Sequence, residues 1–170
     1  VDTWGVDFAF IGRGGELLGN PYCYRDPRTD GAMERAFKIV PREEIFAQTG
    51  LQFMQFNSLY QLMVMKEKNS PILDVAERLL QIPDIFHWLL SGVESNEYTN
   101  ATTTQCFNPQ TRSWAFSLLK KFGIPTNFFP PTTESGTTLG ALRPALAKDS
   151  GLTNAKVVLP GTHDTASAVF

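Results

Sequence analysis

The residues with the clearest catalytic potential are a His-Asp-Thr triplet at positions 163–165. The β-branched residues at 157–158 predict a strand, Pro160-Gly161 then predicts a turn, and residues 166–170 predict the start of a helix. An acidic side chain held where a strand ends is well placed to take a proton from a substrate hydroxyl. Asp164 is therefore a candidate general base. An Asp at this position can equally cap the following helix, and the local spacing leaves both roles open.

The composition indicates one globular domain without a nucleic-acid or membrane partner. Of the 170 residues, 42% are hydrophobic and 19% charged, and 15 basic residues stand against 17 acidic ones. No apolar run approaches the roughly 18–20 residues of a membrane span, and no signal-peptide pattern is visible. Cys23 and Cys106 lie outside any CxxC spacing, which favours reduced thiols in a cytoplasmic protein. Val1 opens in strand-like sequence and Phe170 falls inside an expected helix, so we expect a piece of a longer polypeptide.

The first thirty residues predict a β-hairpin followed by an irregular turn. Apolar residues around 6–11 predict a strand, the glycine-rich stretch 12–15 predicts its turn, and residues 17–24 predict the partner strand. Asp26 precedes a proline, which pushes it away from helical conformation. The chain is therefore expected to leave the hairpin at this point.

The middle of the chain predicts three helices, at 57–68, 72–81 and 84–90. Apolar residues of the second helix recur at i, i+3, i+4, i+7 and i+8 after a Ser-Pro start signal, and Pro83 is expected to end it. The third helix is expected to close at Gly92. Methionines in these helices are interpreted as core residues.

Three further segments complete the predicted fold. The Thr-rich residues 97–107 predict a strand or an extended segment, and residues 111–122 predict a helix that stops at Gly123. The Pro/Thr/Gly loop at 125–140 is longer than an idle connection in a compact domain. Hairpin, helical block, strand, helix, loop and final strand together predict an α/β fold with a helical insertion.

Five motifs follow one another along the chain. They are Val-Asp-Thr-Trp-Gly-Val-Asp-Phe at 1–8, Tyr-Arg-Asp-Pro-Arg-Thr at 24–29, Gln-Phe-x-x-Phe-Asn-Ser-Leu-Tyr-Gln-Leu at 52–62, Glu-Tyr-Thr-Asn-Ala-Thr-Thr at 97–103 and Gly-Thr-His-Asp-Thr-Ala-Ser at 161–167. In order and spacing, over essentially all 170 residues, the chain resembles the rhamnulokinase branch of the FGGY carbohydrate kinases. Any one motif is weak, but the five in register make the resemblance specific.

The resemblance implies an actin-like, ribonuclease-H-like kinase of two large domains. Residues 1–170 would form part of the N-terminal, sugar-binding domain, with a helical insertion at about 31–95. The implied activity is ATP-dependent phosphorylation of L-rhamnulose to L-rhamnulose 1-phosphate in rhamnose catabolism. Asp164 is then the general base, and sugar contacts are implied for Gly5, His163, Asp164 and Thr165. A glycine at position 5 would let the backbone approach a ligand closely.

The chain also departs from the family pattern. The N-terminal phosphate-binding hairpin and the C-terminal nucleotide domain are absent from these residues, so ATP and Mg²⁺ would be bound mainly by other parts of the protein. No cofactor-binding or metal-binding residue is predicted here, and the glycines at 12–15 are interpreted as a hairpin turn. We expect the 170-residue chain by itself to be inactive, and we expect self-association through the apolar surface it would expose.

Alternative readings remain open at several positions. The activity could belong to another FGGY kinase acting on a related ketose, or the chain could be a non-catalytic sugar-binding module. A metal phosphohydrolase is disfavoured, because His87 lies in an apolar helix and no further ligand set accompanies His163. Asn100 is interpreted as structural. Roles in the pocket and in the structure are both considered for Asp2, Trp4, Asp7, Arg25, Asp26, Arg28, Asn57, Tyr60 and Tyr98.

Overall fold

The computed structural model describes residues 1–169; Phe170, the last residue of the predicted terminal helix, lies outside the described residues. The helices are α1 Ala32–Ile39, α2 Arg42–Thr49, α3 Ser58–Glu67, α4 Ile72–Val75, α5 Ile82–Ser91, α6 Tyr98–Ala101, α7 Phe116–Lys121, α8 Pro144–Ser150 and α9 Asp164–Val169. The strands are β1 Phe8–Ile11, β2 Arg78–Gln81, β3 Asn96–Glu97, β4 Phe107–Asn108, β5 Ser113–Trp114, β6 Thr132–Thr133, β7 Thr138–Ala141 and β8 Lys156–Val158. Single 3₁₀ turns cover Pro27–Thr29 and Thr102–Thr104.

The strands pair in twos. Strands β1 and β2, β4 and β5, and β7 and β8 are antiparallel pairs, whereas β3 and β6 are parallel. The predicted hairpin is confirmed only next to its turn: Leu17 bridges Ile11, and the N–H of Leu18 donates to the carbonyl of Phe10 at 2.9 Å. Residues 19–24 form no strand, so the predicted partner strand over 17–24 is wrong beyond Leu18. The other edge of β1 pairs with β2, with Arg78 opposite Ile11.

The predicted helix over 72–81 is wrong after its first turn. Helix α4 ends at Val75, and β2 follows. Leu79 packs in the main core and Leu80 in a second apolar cluster, so the two faces of the β1–β2 pair are both buried. A strand covered on both faces reads as a continuous apolar run, and such a run also fits a helical pattern. Periodicity alone could not separate the two structures.

Helices α3 and α5 are confirmed. Helix α3 is buried along most of its length, and Met63 and Met65 lie in the core as expected. Helix α5 begins at Ile82, with Pro83 in its first turn, where the missing N–H of proline costs nothing. It ends at Gly92, whose φ of 85° is a left-handed conformation that glycine adopts without strain. The predicted helical insertion at 31–95 holds these helices, but β2 also runs through it.

The Thr-rich segment 97–107 is mostly helical, so the predicted strand is wrong. Helix α6 and a 3₁₀ turn follow the two-residue strand β3. The hydroxyls of Thr102, Thr103 and Thr104 each donate to the carbonyl three residues before them. Threonine favours strands in general, but these local hydrogen bonds stabilise a helical turn instead.

The later segments agree with the predictions in part. The helix predicted at 111–122 is shorter, because β5 pairs with β4 up to Trp114 and α7 starts at Phe116. The predicted loop at 125–140 contains β6 and the start of β7. Strand β8 and helix α9 match the predicted strand–turn–helix. Cys23 and Cys106 are unpaired, and no helix within residues 1–169 is long and apolar enough to cross a membrane.

Candidate active site

The first residues of the chain run beside the His-Asp-Thr turn (residues 161–165). The N–H of Thr3 donates to the carbonyl of Thr162 at 3.0 Å, and the N–H of Asp164 donates to the carbonyl of Thr3 at 2.8 Å. These two bonds form a parallel bridge between Thr3 and His163. Through this bridge the fold brings Gly5 and His163 to the walls of one pocket.

This site pocket has a volume of about 310 Å³. Its lining residues are Trp4, Gly5, Val6, Tyr24, Leu51, Gln52, Met54, Phe56, Asn57, Thr103 and His163. The rings of Tyr24 and Phe56 meet edge to face with centroids 5.3 Å apart, and with Leu51 and Met54 they supply apolar surface. Amides, a hydroxyl and an imidazole supply the polar groups. Apolar surface with a few polar groups is typical of a small-molecule site.

The backbone is strained where it passes the pocket. Val6 has a φ of 70°, a left-handed conformation that a β-branched residue rarely adopts. The N–H of Asp7 donates to the carbonyl of Gly5 at 2.9 Å, which makes a tight turn around Val6. The hydroxyl of Thr103 accepts from the Val6 N–H at 3.2 Å, and the hydroxyl of Ser58 donates to the Val6 carbonyl. Strain that neighbours hold in place is characteristic of ligand sites.

Gly5 lies in the pocket wall, and packing also explains its missing side chain. A Cβ added at Gly5 would lie 2.6 Å from Oγ1 of Thr103 and 2.9 Å from its Cβ. Real Cβ atoms almost never come this close to other heavy atoms, so Thr103 excludes any side chain here. The close backbone approach predicted for a ligand is compatible with this packing, but the packing alone is sufficient to require glycine.

The His-Asp-Thr turn divides between the pocket and the solvent. The His163 side chain is 27% exposed and lines the pocket, whereas the Asp164 side chain is 54% exposed and begins α9. Oδ1 of Asp164 lies 3.4 Å from Nε2 of His163 and accepts the N–H of Thr165 at 2.6 Å. Among the described residues, no hydrogen bond reaches its Oδ2. Asp164 and Thr165 are thus next to the pocket lining, with one Asp164 oxygen available.

Asp7 is buried behind the pocket wall and holds two of its lining residues. It is 2% exposed, and its Oδ2 accepts the indole N–H of Trp4 at 2.7 Å and the backbone N–H of Tyr24 at 3.2 Å. Burial raises the pKa of Asp7, and these hydrogen bonds oppose that rise. Trp4 and Tyr24 both line the pocket, so Asp7 orients two wall residues. Asp2 is exposed and is not among the lining residues.

The charged residues of the 24–29 motif form structural contacts. Oδ1 of Asp26 accepts the N–H of Arg28 at 2.8 Å, and the Arg28 guanidinium donates to Gln61 and lies 3.8 Å from the ring centroid of Tyr22. Arg25 donates to the hydroxyl of Tyr24 at 3.0 Å. Asp26 and the two arginines are absent from the pocket lining. Their contacts hold the loop over residues 24–29, which carries the lining residue Tyr24.

The remaining polar candidates are also placed by the structure. Tyr60 and Asn100 are fully buried, and burial raises the pKa of Tyr60. Tyr98 packs edge to face on Phe107. His87 is 1% exposed, and burial lowers its pKa to about 4, which suits a neutral packing residue. Asn57 lines the pocket, but its amide already donates to Gln52 and Gln105.

The glycine-rich turn does not have the form of a phosphate cradle. The carboxylate of Glu16 fills the space beside it: a Cβ added at Gly14 would lie 2.8 Å from Glu16 Oε2. An acidic group in that place repels phosphate, which disfavours ATP at this turn. Within residues 1–169, no group of three or more His, Cys, Asp or Glu side chains could hold a metal ion.

Two important residues were not predicted as site residues. Thr103 lines the pocket and holds Val6, and Glu97 accepts hydrogen bonds from Thr162 next to the pocket. Both lie in the 97–103 motif, which was the only signal in the sequence. Their contacts span more than sixty residues of chain, and no local pattern reports such contacts.

Comparisons with known proteins agree with this geometry. Residues 1–170 match the N-terminal domain of the FGGY family of carbohydrate kinases. The chain is 42% identical over 169 residues to the rhamnulokinase of Oceanobacillus iheyensis and 41% identical over 169 residues to that of Halalkalibacterium halodurans. Each match covers 99% of the chain but 36% of the relative, so the chain spans about a third of their length. The xylulose kinase of Lactobacillus acidophilus superposes with a TM-score of 0.84 at 20% identity, over 94% of this chain and 33% of that one. The chain therefore has the α/β, actin-like fold of sugar kinases, incomplete over these residues, and it belongs to the FGGY family of carbohydrate kinases.

Proposed function

We propose that this chain is part of a kinase that phosphorylates L-rhamnulose at its primary hydroxyl, with ATP as the phosphoryl donor. The observation that carries the proposal is the site pocket, where Gly5 and His163 meet and Asp164 stands beside them. The identity of about 41–42% to proteins named rhamnulokinase supports this sugar over other ketoses.

Asp164 acts as the general base in this proposal. Its Oδ1 is held by Thr165 and lies near His163, so Oδ2 is the oxygen that can accept the proton of the sugar hydroxyl. As the proton moves to Asp164, the sugar oxygen bonds to the γ-phosphorus and the bond from that phosphorus to the leaving ADP oxygen breaks. The products are L-rhamnulose 1-phosphate and ADP, and Asp164 then returns its proton to water.

The lining of the pocket suits a deoxy sugar. L-rhamnulose carries a methyl group at one end and hydroxyls along the rest of its chain. The apolar surface of Tyr24, Met54 and Phe56 offers a place for the methyl group, while Thr103 and His163 offer hydrogen-bonding groups. A sugar with a hydroxymethyl group in that place would lose hydrogen bonds to water without replacing them.

In this proposal, parts of the protein outside this chain bind most of the ATP and Mg²⁺. The carboxylate of Glu16 beside the glycine-rich turn disfavours phosphate there, which supports this assignment. The residues of this chain bind and orient the sugar and move its proton.

The test is a coupled ADP-release assay on the full-length kinase, with L-rhamnulose compared against L-fuculose, D-xylulose and D-gluconate. The proposal expects the highest kcat/KM for L-rhamnulose. A higher value for another ketose would reassign the substrate. Sugar binding by calorimetry without ADP release from any of the four would support a non-catalytic sugar-binding module.

A further inference from the structure

Glu97 joins the core of the molecule to the His-Asp-Thr turn. Its side chain is fully buried, and Oε2 accepts both the backbone N–H and the hydroxyl of Thr162 at 2.9 Å. Oε1 accepts the hydroxyl of Ser135 at 2.7 Å and the N–H of Thr99 at 2.9 Å. The N–H of Asn100 reaches Oε2 at 3.3 Å. One carboxylate therefore links α6, the loop before β7 and the residue that precedes His163.

Glu97 is ionised in this environment. Burial by itself raises the pKa of Glu97, but the hydrogen bonds from Thr99, Ser135 and Thr162 outweigh burial and leave the pKa below its ordinary value. Hydrogen bonds to a charged acceptor are shorter and stronger than those between neutral groups. The contact to Thr162 is therefore a firm attachment point.

A second buried carboxylate, that of Asp84, lies against the backbone of Glu97. Both oxygens of Asp84 are within hydrogen-bond distance of the Glu97 N–H, at 3.2 and 3.3 Å. Burial raises the pKa of Asp84 well above its ordinary value, and the charge of Glu97 adds to the rise. The environment therefore favours the charge on Glu97 over a charge on Asp84.

The His-Asp-Thr turn has few other attachments. Helix α9, which starts at Asp164, has no buried residue among those described. The backbone on the N-terminal side of Asp164 is held by the Thr3 bridge, by Thr162 on Glu97, and by the His163 N–H, which donates to the Thr99 hydroxyl at 3.4 Å. That hydroxyl in turn donates to Glu97. Two of these three attachments therefore run through the Glu97 carboxylate.

We propose that Glu97 is the positioning residue of the reaction: its carboxylate, through Thr162 and Thr99, sets where the Asp164 base stands. Glu97 is not among the residues lining the site pocket, so it acts through the turn and makes no contact with the sugar. This inference rests on the proposed role of Asp164 and adds a residue that supports it.

The variant that tests it is Glu97→Gln in the full-length kinase. Both oxygens of Glu97 accept hydrogen bonds, so the amide group of Gln faces a donor in either orientation. The turn must then shift, and a misplacement of about 1 Å can cost about 100-fold in rate. We expect kcat to fall about 10- to 100-fold, with the sugar KM changed by less than about threefold.

The matched control is Asp84→Asn. Asp84 is as buried as Glu97 and belongs to the same pair, but among the described residues it receives only the Glu97 N–H. An amide has nearly the same shape as this acid, and its oxygen can still accept the Glu97 N–H. We expect its kcat to stay within about twofold of the wild-type value.

A double-variant cycle separates positioning from a merely structural role. If Glu97 acts through Asp164, Glu97→Gln will add nothing to the loss caused by Asp164→Asn. Multiplicative losses in the double variant, or an unchanged kcat in Glu97→Gln alone, would overturn the positioning role while leaving the proposed function intact. An Asp164→Asn enzyme with wild-type kcat would overturn both.

A second pair of variants applies if Glu97→Gln does not fold. Thr162→Val removes the hydroxyl that donates to Glu97 Oε2 and keeps the backbone N–H, whereas Thr162→Ser keeps both donors. We expect kcat to fall about 3- to 10-fold in Thr162→Val and to return to within about twofold in Thr162→Ser. Equal kcat values for the two Thr162 variants would contradict the positioning role.

Discussion

The two sides of the site pocket are held in opposite ways. On the N-terminal side, Gly5 and Val6 are buried. The strained backbone of Val6 is held by Ser58 of α3 and by Thr103 of the 3₁₀ turn Thr102–Thr104. On the other side, Asp164 stands more than half exposed at the start of a short helix, held through hydrogen bonds to Thr3 and Glu97. Packing thus shapes the pocket wall, while a buried carboxylate holds the turn that carries the proposed base. Changes on the first side should cost stability, and changes on the second should cost turnover.

The largest expected effect is the complete loss of kinase activity in the isolated 170-residue chain, which contains both sides of the pocket but not the rest of the kinase. The 170-residue chain carries the proposed sugar-side residues, and we assign most of the ATP site to other parts of the protein, so we expect no sugar-dependent ADP release above background. Closure over the substrate would also need the second domain. A coupled assay and calorimetry with ATP-Mg²⁺ on this chain are the measurements. Robust turnover would show that the phosphate site has been misplaced.

The next effect concerns the exposed side. Asp164→Asn in the full-length kinase keeps the shape of the side chain and removes the proposed base, so kcat should fall by about 10²–10⁴-fold. Sugar KM and Tm should change little, because the side chain is 54% exposed and does not line the pocket. Steady-state kinetics and a thermal melt check both parts. A large loss of Tm with unchanged kcat would reverse the comparison between the two sides.

A substitution on the packed side should show the opposite profile. Gly5→Ala places a Cβ against Thr103, and overpacking of this kind costs about 1–3 kcal/mol of stability. Sugar KM should rise as the pocket wall moves, and kcat should change less. The matched control is Gly5→Ala in a Thr103→Ala background, compared with Thr103→Ala alone, because that change also removes the hydroxyl that accepts the Val6 N–H. Urea unfolding of the full-length kinase measures the cost of Gly5→Ala in both backgrounds, and we expect a smaller cost where Oγ1 and Cγ2 are gone. Equal costs would rule out these two Thr103 atoms as the obstacle.

The smallest expected effect is a pH dependence at the buried carboxylate pair. The pKa of Asp84 in the folded protein lies above its ordinary value of 3.8. The stability that the protonated Asp84 contributes is therefore fully present below about pH 3.8, and it is lost as the pH rises through the folded pKa. Asp84→Asn does not titrate, and its stability relative to wild type should therefore increase from pH 4 towards pH 8. Urea unfolding across this range is the measurement. A constant difference would mean that Asp84 is not perturbed in the fold.

The sequence predicted best where one local rule was enough. Periodicity and caps were sufficient for α3 and α5, because their apolar residues and terminal glycine report on one helix at a time. The sequence-based prediction failed at β2, because the apolar pattern of a strand buried on both faces resembles that of a helix until the partner strand is known. It also failed at 97–107, where hydrogen bonds from threonine hydroxyls to nearby carbonyls outweighed the usual strand preference.

For the site, the sequence by itself determined the chemistry available: an acid after a histidine in a strand–turn–helix, a glycine near the start, and five motifs whose order indicates the family. Only the tertiary structure decided which of these residues meet. The Thr3 bridge, the packing of Thr103 on Gly5 and the bonds of Thr162 to Glu97 all join residues distant in sequence. Such contacts depend on the path of the whole backbone, which spacing does not encode. For that reason the proposed base could be read from a motif, and the carboxylate proposed to position it could not.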